Sequence, residues 1–317
     1  MKYRRLGNTG VKVSELSLGG WLTYGNAVEQ DRAKSIFDKA FELGINCFDT
    51  ANAYAGGEGE KAFGELLKDR KRSDFVLATK VFFPMGQGVN DRGLSRKHLF
   101  EQCHASLKRL QTDYIDVYQC HRHDPDTPLE ETLRTMEDLL RQGKILYWGF
   151  SEWPAEQIEN AIRVADENGW TRPVTSQPGY SLLRRGPEEK VFPLTLKYGI
   201  GNLAFSPLAQ GALTGKYKPG QPYPATSRAV DDRQNKFIQK YVEDKELLAR
   251  IQKLGGIAKE LNCTMTQLAL AWVLRRPEVS TTIIGASRPE QIAENVEASG
   301  ITLDDATVKF MEETLAG

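Results

Sequence analysis

The sequence predicts an α/β protein, a (β/α)8 TIM barrel with an N-terminal β-hairpin and a long insertion after the seventh barrel strand. Short apolar segments alternate eight times with longer amphipathic segments, which is the pattern of strand followed by helix. The apolar segments lack a strict alternation of apolar and polar residues, as is typical of parallel strands that are buried on both faces. No change of composition divides the chain, so residues 1–317 are expected to form one barrel domain.

The elements follow in order along the chain. A first hairpin is expected where Asn8-Thr9-Gly10 turns residues 3–6 back onto residues 11–13. Barrel strands are predicted at 16–19, 45–49, 75–80, 114–120, 145–150, 174–177, 201–205 and 280–284. Helices are predicted at 30–43, 58–69, 95–110, 128–141, 154–167, 187–198, 264–275 and 289–298. The insertion before the helix at 264–275 is rich in Pro and Gly around 216–224 and helical from about 242 to 261, and so long a connection is typical of a lid or a binding segment.

Three helix starts carry a hydroxyl residue followed three positions later by Glu or Gln, which is the spacing of a capping box. The pairs are Thr127 with Glu130, Thr264 with Gln267, and Ser287 with Glu290. They predict helix starts independently of the hydrophobic pattern.

The charge balance and the cysteine pattern restrict the class of function. Lys plus Arg and Asp plus Glu both number 42, so no global field draws the chain to nucleic acid or to an anionic membrane. No apolar run approaches the roughly 18 residues of a membrane span. The four cysteines, Cys47, Cys103, Cys120 and Cys263, are scattered and are interpreted as buried reduced thiols. We therefore expect a cytoplasmic protein without membrane insertion or nucleic-acid binding.

Four polar residues lie at or just past the ends of three successive predicted strands: Asp49, Tyr54, Lys80 and His121. In parallel α/β proteins the chemistry occurs at the carboxyl ends of the strands. A phenol with a pKa of about 10 is a weak acid at neutral pH, and the Lys80 ammonium would favour its anion. Asp49 would hold that ammonium, and His121 would donate a hydrogen bond to a substrate oxygen. Together they suit a carbonyl that accepts hydride at carbon and a proton at oxygen.

Other interpretations of these residues are weaker. Each of the four, taken alone, has a purely structural explanation: a residue that ends a strand, a surface charge, or a histidine whose hydrogen bonds are made within the fold. His121 and His123 form the H-x-H pattern of some metal-dependent hydrolases, but no third histidine lies at a strand end, so no metal site is predicted. The segment Gly57 to Ala62 matches G-x-G-x-x-A only weakly as a dinucleotide fingerprint, because its loop is too long.

Several motifs give the chain a family resemblance. FDTANAY at 48–54, TK at 79–80, YQCHR at 118–122 and SPLAQG at 206–211 resemble the signatures of the aldo-keto reductases. DRGLSRKH at 91–98 and YWGFSEW at 147–153 are similar to the branch that contains the potassium-channel β subunits and their bacterial relatives. The resemblance implies that Asp49, Tyr54, Lys80 and His121 form the catalytic tetrad, with Tyr54 as the general acid.

The same resemblance implies NADP(H), bound in extended form across the barrel mouth without a Rossmann domain. Ser151 and Gln177 would hold the carboxamide, with Tyr180 near the nicotinamide and Gly20 and Trp21 by its ribose. The remaining implied contacts are Ser206, Pro207, Leu208, Gly211 and Lys216 along the pyrophosphate, Arg228 in a clasp, and Gly285, Ser287, Arg288, Gln291, Glu294 and Asn295 at the adenosine end. Ser287, Arg288 and the helix N-terminus would favour a 2′-phosphate and hence NADP(H). Alternatively, Ser287 only caps the helix and Arg288 is solvated.

The resemblance leaves two functions open. The first is reduction of aldehydes and some ketones, in a pocket of Trp21, Tyr24, Phe82, Phe83, Trp153 and parts of 210–240 whose aromatic lining suits small hydrophobic aldehydes. The second is a nucleotide-binding accessory or redox-sensing subunit, acting in a homo-oligomer or with a membrane-protein partner. His121 favours catalysis, because the channel subunits usually carry Asn there. Gly179 and Ala27 depart from the polar residues of these relatives.

Overall fold

Eight parallel strands close into a barrel in a computed structural model that describes residues 1–21, 30–225, 227–232 and 235–316. Two short strands precede them, β1 Tyr3–Arg5 and β2 Lys12–Ser14. The barrel strands are β3 Leu16–Gly19, β4 Cys47–Asp49, β5 Val76–Val81, β6 Ile115–Cys120, β7 Ile145–Ser151, β8 Thr175–Gln177, β9 Gly201–Phe205 and β10 Val279–Ile284. The order around the barrel is sequential, and β10 closes it against β3. The predicted barrel is confirmed.

Helices surround the strands in the described residues. They are α1 Gln30–Glu42, α2 Glu58–Leu67, α3 Arg96–Leu110, α4 Leu129–Arg141, α5 Ala155–Asn168, α6 Val191–Tyr198, α7 Gln239–Val242, α8 Lys245–Lys253, α9 Gly255–Glu260, α10 Met265–Leu274, α11 Pro289–Val296 and α12 Asp305–Ala316. Their apolar faces pack on the barrel, and the core between the two layers contains Phe37, Phe48, Leu99, Ile158 and Trp148. None of the helices within the described ranges is long and apolar enough to cross a membrane.

Strand register brings the predicted site residues to one rim of the barrel. Asp49, the last residue of β4, lies beside Ala78 of β5, and Lys80 lies two residues further along that strand. On the other side of β5, Lys80 lies beside Gln119 of β6, and the His121 amide donates to the Val81 carbonyl at 2.9 Å. Because all strands run in the same direction, the residues at their carboxyl ends meet at a single opening.

The hairpin of β1 and β2 covers the opposite end of the barrel. Leu6 and Val13 pack with Cys47 and Val117 in the barrel interior. In this hairpin, the backbone of Gly7 lies very close to the backbone before β9. Its φ is +56°, and a Cβ there would lie 2.3 Å from the carbonyl oxygen of Gly199. Only glycine combines this left-handed conformation with so close a backbone contact.

One of the three predicted capping boxes is confirmed and two are wrong. At α10 the Thr264 side chain accepts from the Gln267 amide, and the Gln267 side chain accepts in return. The other two helices begin one residue later than the predicted spacing requires, with Pro128 and Arg288 at their N-caps. The Thr127 hydroxyl donates to Asp124 instead, and the Ser287 hydroxyl donates to Gln291.

In its described part, the insertion after β9 contains the α-helices α7 to α9, which agrees in outline with the predicted helical stretch from about 242 to 261. The final helix α12 was not predicted. It packs Met311 and Leu315 into the apolar cluster around Trp272, and Glu312 accepts hydrogen bonds from Trp272 and Arg275. The four cysteines are free, and Cys47, Cys103 and Cys120 are buried, as expected.

Candidate active site

A cavity of about 1220 Å³ opens at the carboxyl ends of the barrel strands. Its wall includes Asp49, Tyr54 and His121, which we call the catalytic end, and Ser287 and Gln291, which we call the far end. The insertion after β9 covers part of it, because Phe237 packs edge-on against Trp21 with ring centroids 4.8 Å apart. The cavity is therefore partly covered and lined by polar groups from several strands.

Lys80 organises the catalytic end from a position with no solvent exposure. An ammonium group has three donors, and each one has an acceptor here: Asp49 Oδ2 at 2.6 Å, the Thr50 carbonyl at 2.7 Å and Tyr54 Oη at 3.3 Å. Burial, the largest single effect, disfavours the charged amine, but the attraction and hydrogen bonds of Asp49 and Tyr54 together outweigh it and raise the pKa of Lys80 above its ordinary value. The side chain is therefore held as a cation directed at the Tyr54 oxygen.

Tyr54 lies on the turn between β4 and α2, where Ala55 adopts a left-handed conformation with φ of +51°. Burial raises the pKa of Tyr54, and the nearby Lys80 ammonium opposes that rise without cancelling it. The phenol is thus protonated at neutral pH. Because Tyr54 Oη accepts from Lys80, its own O–H remains available to a ligand in the cavity.

His121 follows β6 and lies edge-on to the Tyr54 ring, with centroids 5.8 Å apart. Burial, together with the positive charges of Lys80 and Arg122, lowers the pKa of His121 well below its usual value. The imidazole is therefore neutral near pH 7 and keeps one N–H to donate. Its Nδ1 is buried without a hydrogen-bond partner among the described residues.

Gln177 and Ser151 lie beside the catalytic end. Gln177 Nε2 donates to Asp49 Oδ1 at 2.8 Å, so the Asp49 carboxylate receives one hydrogen bond on each oxygen. The Ser151 hydroxyl donates to the Gln177 backbone carbonyl at 2.9 Å. Both side chains border the cavity, and their hydrogen bonds fix them on the side of Asp49.

Two cations of the cavity wall come from the insertion. Lys216 and Arg228 lie beside the loop at 206–211. Burial, with added repulsion from Arg228 and Arg288, lowers the pKa of Lys216. Arg228 Nη1 donates to Gln210 Oε1, which ties the insertion to that loop. The loop itself holds two successive non-glycine residues, Ala209 and Gln210, at positive φ.

The far end agrees only in part with the predicted adenosine contacts. Gly285, Ser287 and Gln291 border the cavity, and Gln291 Oε1 accepts from the Ser287 amide at 2.8 Å. The Arg288 side chain is 64% exposed. Asn295 is buried, and the Glu294 carbonyl accepts from Gln267.

Most of the predicted site residues border this cavity, and seven lie outside its wall in the described part of the chain. Those on the wall are Asp49, Tyr54, His121, Trp21, Ser151, Gln177, Tyr180, Ser206, Pro207, Leu208, Gly211, Lys216, Arg228, Gly285, Ser287, Gln291 and Phe83. Those outside it are Lys80, Gly20, Arg288, Glu294, Asn295, Phe82 and Trp153. Tyr24 and Ala27 lie outside the described residues.

Two aromatic residues of the predicted pocket, Trp153 and Phe82, lie off the cavity wall, whereas Tyr180, predicted near the nicotinamide, lies on it. Trp153 is 3% exposed and stacks on Phe150, so it belongs to the core. Phe82 packs edge-on against Phe83 behind the wall. Tyr180 borders the cavity, but its hydroxyl donates to Glu188, away from the catalytic end. Sequence periodicity cannot distinguish residues on the cavity wall from residues in the core, because a residue next to a strand end can lie either on the barrel rim or beneath it.

His123, from the H-x-H pattern, packs edge-on against Trp153 with centroids 5.1 Å apart. Within the described ranges, no group of three or more His, Cys, Asp and Glu side chains is arranged to hold a metal ion.

Three charged residues on the wall were missed: Arg122, Glu152 and Arg184. Arg122 and Glu152 directly follow His121 and Ser151, so position after a strand end was an available signal. Glu152 adopts φ of +57°, a strained conformation that clusters at functional sites. Its Oε1 accepts from the Gly179 amide at 2.7 Å, and its Oε2 accepts from Arg184.

This geometry also accounts for Gly179. A Cβ at that position would lie 2.2 Å from Arg184 Nη1. The Arg184 guanidinium thus occupies the space that a larger residue at position 179 would fill.

Comparison with known proteins identifies the family. The family model described as "Aldo/keto reductase family" matches residues 15–316. The chain belongs to the aldo/keto reductase family. This membership confirms the resemblance noted in the sequence and supports a general oxidoreductase role for the barrel.

The aldo/keto reductase is also similar to three curated proteins over most of its length. Two are named probable voltage-gated potassium channel subunit beta: one from Arabidopsis thaliana is 45% identical over 302 residues, and one from Oryza sativa subsp. japonica is 44% identical over 302 residues. Each alignment covers 94% of this chain and 91% of the relative. A putative voltage-gated potassium channel subunit beta of Schizosaccharomyces pombe is 45% identical over 301 residues, with 93% and 87% covered.

Proposed function

We propose that this protein is an NADPH-dependent reductase of aldehydes and some ketones, with Tyr54 as the general acid. One observation carries the proposal. Tyr54 is a half-buried, protonated phenol whose oxygen accepts from the Lys80 ammonium, and it lies beside the neutral His121 at the wall of the cavity. This is the arrangement needed to donate a proton to a carbonyl oxygen at neutral pH.

The donor set fits a phosphate-bearing dinucleotide. One cavity is lined by Tyr54, by Lys216 and Arg228, and by Ser287, so it offers cations as well as a proton donor and a helix start. Burial and mutual repulsion depress the pKa of Lys216, and a bound phosphate would relieve both effects. We propose that Gln177 and Ser151 bind the carboxamide of such a cofactor, and that Lys216 and Arg228 bind its phosphates. Bound NADPH supplies a hydride.

The chain's own residues polarise and protonate the carbonyl. His121 donates N–H to the carbonyl oxygen, and Tyr54 transfers its O–H proton to the same oxygen as negative charge develops there. The resulting phenolate is 3.3 Å from Lys80 Nζ, whose positive charge stabilises it. Asp49 holds Lys80 in place and accepts from Gln177, which couples proton donation to the position of the carboxamide site.

The test is oxidation of NADPH in the presence of a panel of aldehydes, with Tyr54→Phe as the decisive variant. Loss of a general acid lowers kcat by about 10²- to 10⁴-fold. NADPH binding, measured by fluorescence titration, is expected to remain. Tyr198→Phe on α6, where the hydroxyl interacts with Glu159 and Lys197 away from the cavity wall, is the matched control and is expected to keep full activity. Equal activity of Tyr54→Phe and the wild type would contradict the proposal, and parallel assays with NADH rank the two cofactors.

The names of the relatives favour a second candidate, a nucleotide-binding accessory subunit of a membrane protein with slow turnover. The geometry is compatible with both the reductase role and the accessory role, because the same proposed site would bind the nucleotide in each. NADPH binding with no turnover of any carbonyl would favour the accessory role. We retain the reductase as the first proposal, since the four side chains needed for proton transfer converge.

A further inference from the structure

Arg122 is a cation at the catalytic end to which the mechanism above gives no role. It follows His121 directly, is half-buried and borders the cavity. A guanidinium has five N–H donors, and only Nη1 has an acceptor among the described residues, the carbonyl oxygen of His121. It is close enough to Tyr54 and His121 to influence both electrostatically. Most of its donors are thus free to bind a ligand beside the proton donor.

Glu152 attracts Arg122 electrostatically, but no direct ion pair joins the two side chains in the described part of the chain. Glu152 has both oxygens occupied, one by the Gly179 amide and the other by Arg184. The remaining groups add no negative charge, because Asp49 is paired with the Lys80 ammonium and both His121 and Tyr54 are neutral at pH 7. This end of the cavity therefore carries a net positive charge.

The whole cavity has the same sign. Six cations face three carboxylates on its described wall, although the chain as a whole has a formal charge of zero. The cations are Arg122, Arg184, Lys216, Arg228, Lys236 and Lys240, and the carboxylates are Asp49, Glu152 and Asp231. Lys216 and Arg228 are the residues proposed to bind the cofactor phosphates. Arg122 therefore remains available to bind the carbonyl substrate.

Phe83 provides an apolar surface next to this charge. The Arg122 Cζ lies 5.5 Å from the centre of the Phe83 ring, and the same ring packs edge-on against His121 with centroids 4.8 Å apart. A short carbon chain on this ring would have His121 at one end and the guanidinium at the other. Arginine binds carboxylates through two parallel hydrogen bonds, which suits an anion at that second end.

We propose that the substrate is a short-chain oxo acid, with its carboxylate bound by Arg122 and its carbonyl placed between Tyr54 and His121. The inference rests on the proposed reductase function and names its substrate class. In the reaction the carbonyl carbon gains a hydride and its oxygen gains the Tyr54 proton. The product is a hydroxy acid, the carboxylate is unchanged, and NADPH is oxidised to NADP⁺. This differs from the small hydrophobic aldehydes that the aromatic lining predicted.

The test compares succinate semialdehyde with its methyl ester, which has the same reacting carbonyl and no charge. The wild-type protein with NADPH is expected to favour the acid by about tenfold or more in kcat/KM, as a charge-assisted hydrogen-bond pair provides. Arg122→Gln is expected to lower kcat/KM for the acid by about 10- to 100-fold, mainly through KM, and to lower kcat/KM for the ester much less, so that the preference for the acid is lost. Arg122→Lys, which keeps the charge without the planar fork, is expected to fall between the two.

Arg163→Gln on α5 is the control, because this arginine pairs with Glu167 on the outer surface. It is expected to leave both substrates unaffected. NADPH affinity and far-ultraviolet circular dichroism of Arg122→Gln verify that the variant folds.

The outcomes separate this inference from the function on which it rests. Equal kcat/KM for acid and ester in the wild type overturns the oxo-acid inference but keeps the reductase. An equal loss for both substrates in Arg122→Gln also overturns it, because Arg122 then only positions His121 through its carbonyl. Failure of the wild type to reduce any carbonyl overturns the reductase proposal, and the inference with it.

Discussion

Lys80 is the residue on which the candidate site depends most. Its ammonium is fully buried, and its three donors connect the end of β4, the loop after it and the phenol of Tyr54. A buried charge without its partner is strongly destabilising, whereas a pair removed together costs much less. Structure and proposed chemistry therefore rest on the same ion pair with Asp49.

Lys80→Met is expected to lower the free energy of unfolding by about 3–5 kcal/mol, because it leaves the Asp49 carboxylate buried and unpaired. It is also expected to abolish reductase activity. Urea unfolding of the wild type, Lys80→Met, Asp49→Asn and the double variant measures the coupling. The double variant is expected to be more stable than the sum of the single losses predicts. Strict additivity would contradict this account of the pair.

The pH profile follows from the directions of two pKa shifts. Tyr54 must be protonated to reduce a carbonyl, and burial raises its pKa, so reduction is expected to hold through the neutral range and to fall only above the usual tyrosine value of about 10. His121 must be neutral to donate its N–H. Because its pKa is lowered, the imidazole stays neutral even at pH values below the usual histidine pKa of about 6.5. In the alcohol-oxidising direction the phenolate is needed, so that rate is expected to rise with pH. Initial rates in both directions provide the measurement, and a midpoint near pH 7 in the reduction profile contradicts these assignments.

At the scale of elements, the insertion after β9 supplies the cations of the cavity, and α8 holds part of it in place. Gln252 Nε2 donates to the carbonyls of Gly215 and Tyr217, both at 3.0 Å, and these residues flank Lys216. One side chain on a helix therefore fixes the segment that is proposed to bind phosphate.

Gln252→Ala is expected to weaken NADPH binding by about tenfold, because the loss of two hydrogen bonds frees the Lys216 segment. The melting temperature of the protein without nucleotide is expected to change little, since the barrel itself is not touched. Fluorescence titration and thermal unfolding measure the two quantities. Gln157→Ala on α5, outside the cavity wall, is the control. Unchanged NADPH affinity in Gln252→Ala would show that Lys216 is positioned by other contacts.

The elements themselves were largely predictable, and the reason is physical. Each barrel strand is a short buried segment, so local composition predicts its position. The four residues of the predicted tetrad were singled out because each is close to a strand end. The charged wall was harder to predict. The pairing of Arg184 with Glu152 over Gly179 depends on how two loops fold back on each other. Trp153 is buried and Phe82 packs against the core, and both positions depend on the direction in which the chain leaves a strand.

At the scale of the whole molecule, the packing contacts of the hairpin and the candidate active site lie at opposite ends of the barrel. The hairpin of β1 and β2 contacts the starts of the strands, through the Gly199 carbonyl and Ser280, while the cavity lies at their carboxyl ends. The residues at the hairpin end thus serve packing, and the loops at the other end are free to carry function.

A substitution at the hairpin should therefore change stability without changing the site, and the hairpin contains its own control. Gly7→Ala is expected to cost about 1–3 kcal/mol, because φ of +56° strains any side chain and a Cβ would lie 2.3 Å from the Gly199 oxygen. Gly10→Ala is expected to be nearly neutral, since no atom lies within 4 Å of a Cβ there. Thermal unfolding ranks the two variants, and NADPH affinity is expected to be the same in both at a temperature where both are folded. Equal melting temperatures would mean that the hairpin adjusts to the added methyl group, and weakened NADPH binding in Gly7→Ala would mean that the two ends of the barrel are coupled.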